Sequence, residues 1–512
     1  MRNGSAPTAA AQERMAFSVI ERRILAPAEQ IFAALIDPTR RARTVTALIF
    51  GFVAVWTLFG VISLGSEDVH PDIVQSLQWA RDQEVQYHPP LLAWTVKLWF
   101  ALFPVADWAA YLLAAANVGV TLAICWVLFS DWLDDQKRVV ALAMLTLIPL
   151  YTFQAGKFNA NTVMMPYWAA TTLFFLRSFR TGDRLAAALA GIAAGGAMLG
   201  KYWSLFLLAG LALAALLDPR RLAYLRSSAP WITIAAGAAV VAPHAIDIWQ
   251  EPLRPAQLGI STGLGAAIVQ SLAYLLACAG YAAIPLLLLA LLRPSREAIR
   301  DIFLPSSPDR RLVATSFLVP LVLPAAVNVV APYRLTSLWT IPNWSLLPIV
   351  LLGSPKLHVD RTAAVRILAL ALAVPFGALA AAPAIALIAH LTGGTDGNAR
   401  ASVVARAVQE TWRGATDRPL RWVGSKFWAD GVIFYLPDTV QPLGLDHPQA
   451  VQRLTRDGGA VVCPAADAGC VARLNDLARD VEGKRTEVEL ARRYFGIDGR
   501  RERYLIFTAP PR

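Results

Sequence analysis

Apolar runs long enough to enter a bilayer recur through almost all of the first 391 residues, and no soluble fold can absorb them. A membrane-crossing helix needs about 20 mostly apolar residues. The sequence offers such runs at 45–65, 108–130, 139–153, 163–176, 185–199, 203–217, 230–246, 265–292, 312–331, 339–353 and 367–391. Eleven spans are therefore expected, several of them short. Composition agrees: 56% of residues are apolar and only 16% charged, against roughly 25% charged in soluble chains. Disorder, a collagenous fibre and a disulfide-dense secreted scaffold are excluded by the same figures. The formal net charge of +11 is no sign of nucleic-acid binding, because membrane proteins hold excess Lys and Arg in their cytoplasmic loops.

The cations set the orientation. Alternate connections (the N-terminus, 131–138, 177–184, 218–229, 293–311 and 354–366) hold 23 Lys or Arg, and the opposite set holds six. The N-terminus is thus expected in the cytoplasm, and an odd number of spans puts everything beyond residue 391 outside. Residues 1–44 form a cytoplasmic segment with short amphipathic stretches at 18–25 and 30–36. They lack the layout of a cleaved signal peptide, and the first span reads as a retained signal anchor. The membrane domain is 45–391.

Residues 392–512 differ in character, with 18 Lys or Arg against 15 Asp or Glu. Strand-like runs at 420–424, 431–436, 460–463 and 504–508 alternate with helical ones at 401–413, 472–481 and 488–494, which suggests a small external α/β domain. Cys463 and Cys470 lie in it, with six residues between them. In an oxidising compartment they either bond or remain two free or buried thiols. Cys125 and Cys278 lie inside spans and read as packing residues.

The longest external connection between spans is 66–107. It holds Glu67, Asp68, Asp72, Asp82, Glu84 and Asp107 against two cations, followed by an aromatic amphipathic stretch with Trp94, Trp99, Phe100 and Phe103. Such a stretch favours the interface plane. Two surface helices hinged at His88-Pro89-Pro90 are expected. Carboxylates at a lipid–water boundary suit proton abstraction when partly desolvated; the alternative is plain surface charge. The few external cations are the second group: Lys157 in GKFNANTVMMP, Lys201 in GKYW and Arg334 in APYRLTSLW, each at the outer end of a span. Ionisable groups at a membrane edge are functional candidates, as Arg forks and Lys point charges suit a phosphate; snorkelling to lipid is the competing reading. His244, after Pro243, is either a phosphate or metal partner or a packing residue.

These residues carry a resemblance. Asp72 seven positions before Trp79, the YHPPLLAW turn, the WTVKLWFALFP helix, KFNANTVMMPYWAATTLFFLRS, GIAAGGAMLGKYWSLFLLAG and RWVGSKFWADGVIFYLPDTVQP resemble glycosyltransferase family 39 and its bacterial relatives. That superfamily contains the protein O-mannosyltransferases, the lipid A aminoarabinose transferases and the rhizobial galacturonosyltransferases. The resemblance spans about residues 45–440. It implies a GT-C-like polytopic α-helical fold with periplasmic juxtamembrane helices, in a bacterial inner membrane. It also implies a polyprenyl-phosphate-linked sugar donor and an envelope glycolipid or glycan acceptor.

The family's catalytic Asp maps onto Asp72. Its usual acidic companion does not map, because Ile73 follows and Gln75 stands where some relatives have Glu; this weakens the case for a divalent metal ion. Tyr87-His88-Pro89 replaces a Glu-Lys-Pro turn, and Lys201 matches a family Gly-Lys position. The expected roles are Asp72 as base and Lys201, Arg334 and His88 as phosphate ligands. Asp68, Tyr87, Lys157, Tyr202 and His244 stand as further site residues. A lipid-linked sugar flippase and a non-catalytic polyprenyl-phosphate-binding scaffold are the alternatives. A transporter favours matching halves and buried polar groups along its pathway, which the spans lack.

Overall fold

A computed structural model describes residues 25–81, 89–250, 263–393, 400–425 and 429–511. Contacts divide the chain into two compact units. The first comprises Met1–Val53, Asn117–Ala155 and Met164–Gly377, and the second Ala54–Ala116, Gly156–Val163 and Ala378–Arg512.

Six helices among the described residues are long and apolar enough to cross a membrane: Arg41–Ser63, Asp107–Ser130, Ala229–Trp249, Leu264–Leu291, Pro308–Val330 and Arg361–Thr392. Shorter helices occupy the other expected spans: Asp135–Leu147, Met164–Thr181, Arg184–Gly200 and Ser204–Leu217. Two of the expected spans are altered by proline. The third stops at Leu147 because Pro149 pushes Ile148 to extended backbone (φ −76°, ψ 124°), as the residue before a proline prefers. The span expected at 339–353 is instead a 3-10 run, Ser337–Leu346, with Pro342 inside it, followed by a short α-helix, Leu347–Leu352. Each proline removes a donor from the helical ladder.

Within the first unit, small residues set helix spacing. A Cβ at Gly191 would clash with the Thr233 carbonyl oxygen, and one at Gly195 would meet Val240 Cβ at 2.6 Å. The Arg184–Gly200 and Ala229–Gln250 helices therefore approach backbone to backbone, as small-residue faces permit in lipid. The Thr233 hydroxyl adds a 3.0 Å bond to the Ala187 carbonyl.

In the second unit, the 66–107 connection forms the two expected helices, Pro71–Arg81 and Leu91–Leu102. The second buries Leu91, Leu92 and Val96 and exposes Trp94, Leu98 and Leu102. The exposed three recur every four residues, so they form one apolar stripe.

The C-terminal part of this unit is a small α/β domain. Its strands are β1 (Trp422–Ser425), β2 (Gln441–Gly444), β3 (Gly459–Pro464), β4 (Lys484–Leu490), β5 (Arg493–Tyr494), β6 (Ile497–Asp498) and β7 (Glu502–Ala509). Five form a sheet in the order β2-β1-β3-β7-β4, and β5–β6 form a separate hairpin. β1 runs parallel to β2 and β3, and β7 runs antiparallel to β3 and β4.

Two expectations for this domain are corrected. Of residues 431–436, 431–434 belong to a helix, Ala429–Phe434, and the last two follow it, with Val432, Ile433 and Phe434 all buried; so short an apolar run has no period that separates strand from helix. Residues 488–490 end a strand, not a helix, and Lys484–Leu490 alternates exposed and half-buried positions with period two. Cys463 on β3 and Cys470 in the helix Ala468–Asp480 are joined by a disulfide, with Cα atoms 5.6 Å apart. Both side chains are buried in the core under one face of the sheet.

Candidate active site

Asp72 stands in the first turn of Pro71–Arg81. Pro71 opens that helix with the φ it requires, and His70 caps it, its Nδ1 accepting from the Asp72 N–H at 3.2 Å. Ile73, Val74, Ser76 and Leu77 are buried and hold the opposite face down. Asp72 is left with 40% of its side chain exposed, so its carboxylate is rigidly held yet reachable. The helix N-terminus adds a favourable partial positive charge.

The carboxylate has a fixed neighbour. Asn159 donates from Nδ2 to Asp72 Oδ2 at 2.8 Å. The orientation of that amide follows from the turn it sits in: Asn159 Oδ1 accepts from the Asn161 and Thr162 backbone N–H groups at 2.9 and 3.2 Å. The oxygen is used by the backbone, so the nitrogen must face the carboxylate. Phe158, fully buried, pins the segment, and half-buried Lys157 precedes it. His70 Nδ1 lies 3.7 Å from the same Asp72 oxygen.

Two other acids of this connection, Asp68 and Asp107, are held by partners within the second unit. Asp68 is buried, with one oxygen on Arg492 Nη1 at 2.6 Å and the other on the Ser402 N–H at 3.2 Å. Asp107 accepts from the Tyr435 hydroxyl, which itself accepts from the Val69 N–H at 3.1 Å. Burial, then the Asp68 and Asp107 charges, push the Tyr435 phenol far above its ordinary value, so it remains a donor. Arg81 pairs with Asp438. Tyr87, His88, Asp82, Glu84 and Arg254 lie outside the described residues.

Two of the expected cations, Lys201 and Arg334, lie in the first unit, and Lys157 lies in the second. Lys201 ends the Arg184–Gly200 helix in extended backbone, and its Nζ sits 4.1 Å over the Trp339 ring. Trp203 packs edge-on against Trp339 (4.9 Å) and Tyr333 (6.5 Å). Arg334 follows Tyr333, whose N–H is held by Asn328 Oδ1 at 2.9 Å, and precedes Leu335, whose carbonyl accepts from Gln270 at 3.4 Å. An exposed guanidinium is thus presented from a clamped turn. Tyr202 Oη meets His244 Nε2 at 2.7 Å, with the rings near parallel.

The described side chains around Asp72 do not suit a resident divalent metal. A hard cation wants several oxygens, and Asn159 presents its nitrogen to the carboxylate. Among the described residues, no group of three or more His, Cys, Asp or Glu could hold a metal ion.

Sequence reasoning gave no role to Asn159, His70, Trp339 or Arg492. The Asn-Ala-Asn-Thr run was the one local signal, because Asn favours side-chain-to-backbone turns. The Asp68–Arg492 pair, 424 positions apart, has none.

Residues 87–247 match the family model described as dolichyl-phosphate-mannose-protein mannosyltransferase. That stretch takes in Lys157, Asn159, Lys201 and His244 but not Asp72. A sequence search of curated proteins gives no match. Among solved structures, the chain is similar to the crystal structure of ArnT from Cupriavidus metallidurans bound to undecaprenyl phosphate, with a TM-score of 0.58 and 14% identity, covering 91% of this chain and 100% of that one. The apo structure of the same protein gives a TM-score of 0.57 at 14% identity, covering 91% and 99%. This shared architecture, with the spans and the small sheet domain described above, makes the chain a multi-span membrane protein of GT-C fold that resembles the family 39-like glycosyltransferases.

Proposed function

We propose that this protein is a membrane glycosyltransferase that moves a sugar from a polyprenyl-phosphate donor to an envelope acceptor at the periplasmic face. Lipopolysaccharide, lipid A or another glycolipid is preferred over protein as acceptor. In this reading the N-terminus is cytoplasmic and the sheet domain external.

The observation that carries the proposal is the Asp72 carboxylate, exposed at a helix N-terminus and oriented by one amide donor on a buried-anchored turn. Breaking an anomeric C–O bond leaves a lipid phosphate and an oxocarbenium-like sugar, so the catalyst must neutralise the one and deprotonate the incoming hydroxyl. Asp72 takes that proton, and Asn159 keeps the carboxylate aimed. Lys201, Arg334 and His88 hold the phosphate, the first two as point charge and fork. One displacement by the acceptor inverts the anomeric centre. The donor class gains support from the undecaprenyl phosphate bound to ArnT. The apolar stripe of Trp94, Leu98 and Leu102 suits a helix lying in the interface.

The test is mass analysis of envelope glycolipids and glycoproteins from cells with and without the gene. Loss of one sugar from a glycolipid supports the proposal. An unchanged glycan profile, with a polyprenyl-linked sugar accumulating on one leaflet, would instead indicate a flippase.

A further inference from the structure

The β5–β6 hairpin is built around a costly residue. Arg493 pairs with Asp498 and Tyr494 with Ile497, which leaves Phe495 and Gly496 as a two-residue loop. Both have positive φ, 47° and 81°, as a type I′ turn requires, and such turns favour Asn, Asp or Gly. A residue with a Cβ is strained in the left-handed conformation. Here the chain places phenylalanine, and the ring is 81% exposed, with Tyr494 against it at 4.6 Å. Ile497 beside it is also exposed. Folding of the hairpin gains little from either side chain.

The position of the hairpin supplies the missing reason. His390, in the last turn of the apolar helix Arg361–Thr392, hydrogen-bonds through Nε2 to the Ile497 carbonyl at 3.0 Å. Arg492 reaches the Gly65 carbonyl at 3.2 Å, two residues past the end of the apolar helix Arg41–Ser63. A Cβ on Gly499 would lie 2.9 Å from the His390 ring, and one on Gly65 would lie 3.7 Å from Tyr494. The hairpin and the residue before it are therefore hydrogen-bonded at the ends of two helices long and apolar enough to cross a bilayer. Between positions 492 and 503 the chain has five arginines against Asp498 and Glu502. Exposed aromatic and aliphatic side chains ringed by arginine, at the ends of spans, form the composition of a membrane interface.

We propose that the hairpin Arg493–Asp498 is a lipid-contacting element that fixes the sheet domain to the bilayer surface. Phe495 and Ile497 enter the boundary between headgroups and acyl chains, and Arg493, Arg500 and Arg501 face lipid phosphates. The proposal does not depend on what reaction the protein catalyses.

The test uses the full chain in vesicles of phosphatidylethanolamine and phosphatidylglycerol, with an environment-sensitive fluorophore on Phe495→Cys. Cys125 and Cys278 are buried and Cys463 and Cys470 are bonded, so labelling is selective. A nitroxide near the lipid headgroup is expected to quench the label several-fold more than aqueous iodide. Quenching by iodide and not by lipid would overturn the proposal. A label on Ile497→Cys gives the same reading should the first variant fold poorly. In that second background Phe495→Asn suits the turn better, so thermal stability in detergent should hold or rise while lipid quenching falls several-fold. Unchanged lipid quenching there would remove Phe495 from the contact.

Discussion

The side-chain amide of Asn159 donates a 2.8 Å hydrogen bond to the Asp72 carboxylate across 87 positions of sequence. Both backbone donors that fix Asn159 come from its own turn, so the amide is aimed before any substrate arrives. Preorganised polar groups of this kind contribute to catalysis because they need no reorganisation during reaction.

Asn159→Ala is therefore expected to lower kcat for sugar transfer by about 10–100-fold, the cost of roughly 1.5–3 kcal/mol for a bond to a charged group, with the donor KM little changed. Asn159→Asp should do more. A second carboxylate beside Asp72 raises the energy of the ionised form, so the acidic limb of the pH–rate profile moves to higher pH. A pH profile with the same acidic limb in both proteins would remove Asn159 from its positioning role.

Lys201 and Arg334 should act on the donor. Each is expected to contribute roughly 1.5–3 kcal/mol to phosphate binding, so Lys201→Ala or Arg334→Ala raises the donor KM or Kd by about 10–100-fold. Donor titration in vesicles measures it. Equal affinity in both variants would return these cations to packing on Trp339 and contact with lipid headgroups.

Much of this was legible beforehand. Runs of apolar residues located the helices through Thr392, because that signal is local; the acidic loop offered six carboxylates, and only the family resemblance singled out Asp72. Prolines 342 and 348 sit inside an apolar run, so hydropathy read as one span a segment whose backbone donors do not permit a straight helix. The strand Gln441–Gly444 escaped notice because proline and glycine are poor strand formers; it survives as the edge of the sheet. The pairing of Asp68 with Arg492 depends on folding that brings the tail to the first connection, and no periodicity encodes it.

That pairing makes its own prediction. Asp68 is buried and its salt bridge to Arg492 is short, so Arg492→Ala leaves a buried charge without its cation. Loss of one partner from such a pair costs about 3–5 kcal/mol. Thermal unfolding of the purified protein should show a large downward shift, partly recovered in the double variant Asp68→Asn with Arg492→Ala. Equal melting of wild type and the single variant would show that the pair contributes nothing.

The disulfide offers another check. Cys463 and Cys470 close a short loop between a strand and a helix. By the loop-entropy relation, closing about eight residues contributes roughly 2.5 kcal/mol. Cys463→Ser with Cys470→Ser should lower the unfolding free energy by that amount, and reductant should reproduce the loss in the native protein and not in the variant.

Single-turnover transfer by Asp72→Asn in vesicles, alongside binding of the polyprenyl-phosphate donor, tests the central claim most directly. Loss of a general base costs about 10²–10⁴-fold, so transfer should fall by that factor while donor affinity stays at the wild-type value. Transfer at the wild-type rate by Asp72→Asn would contradict the account.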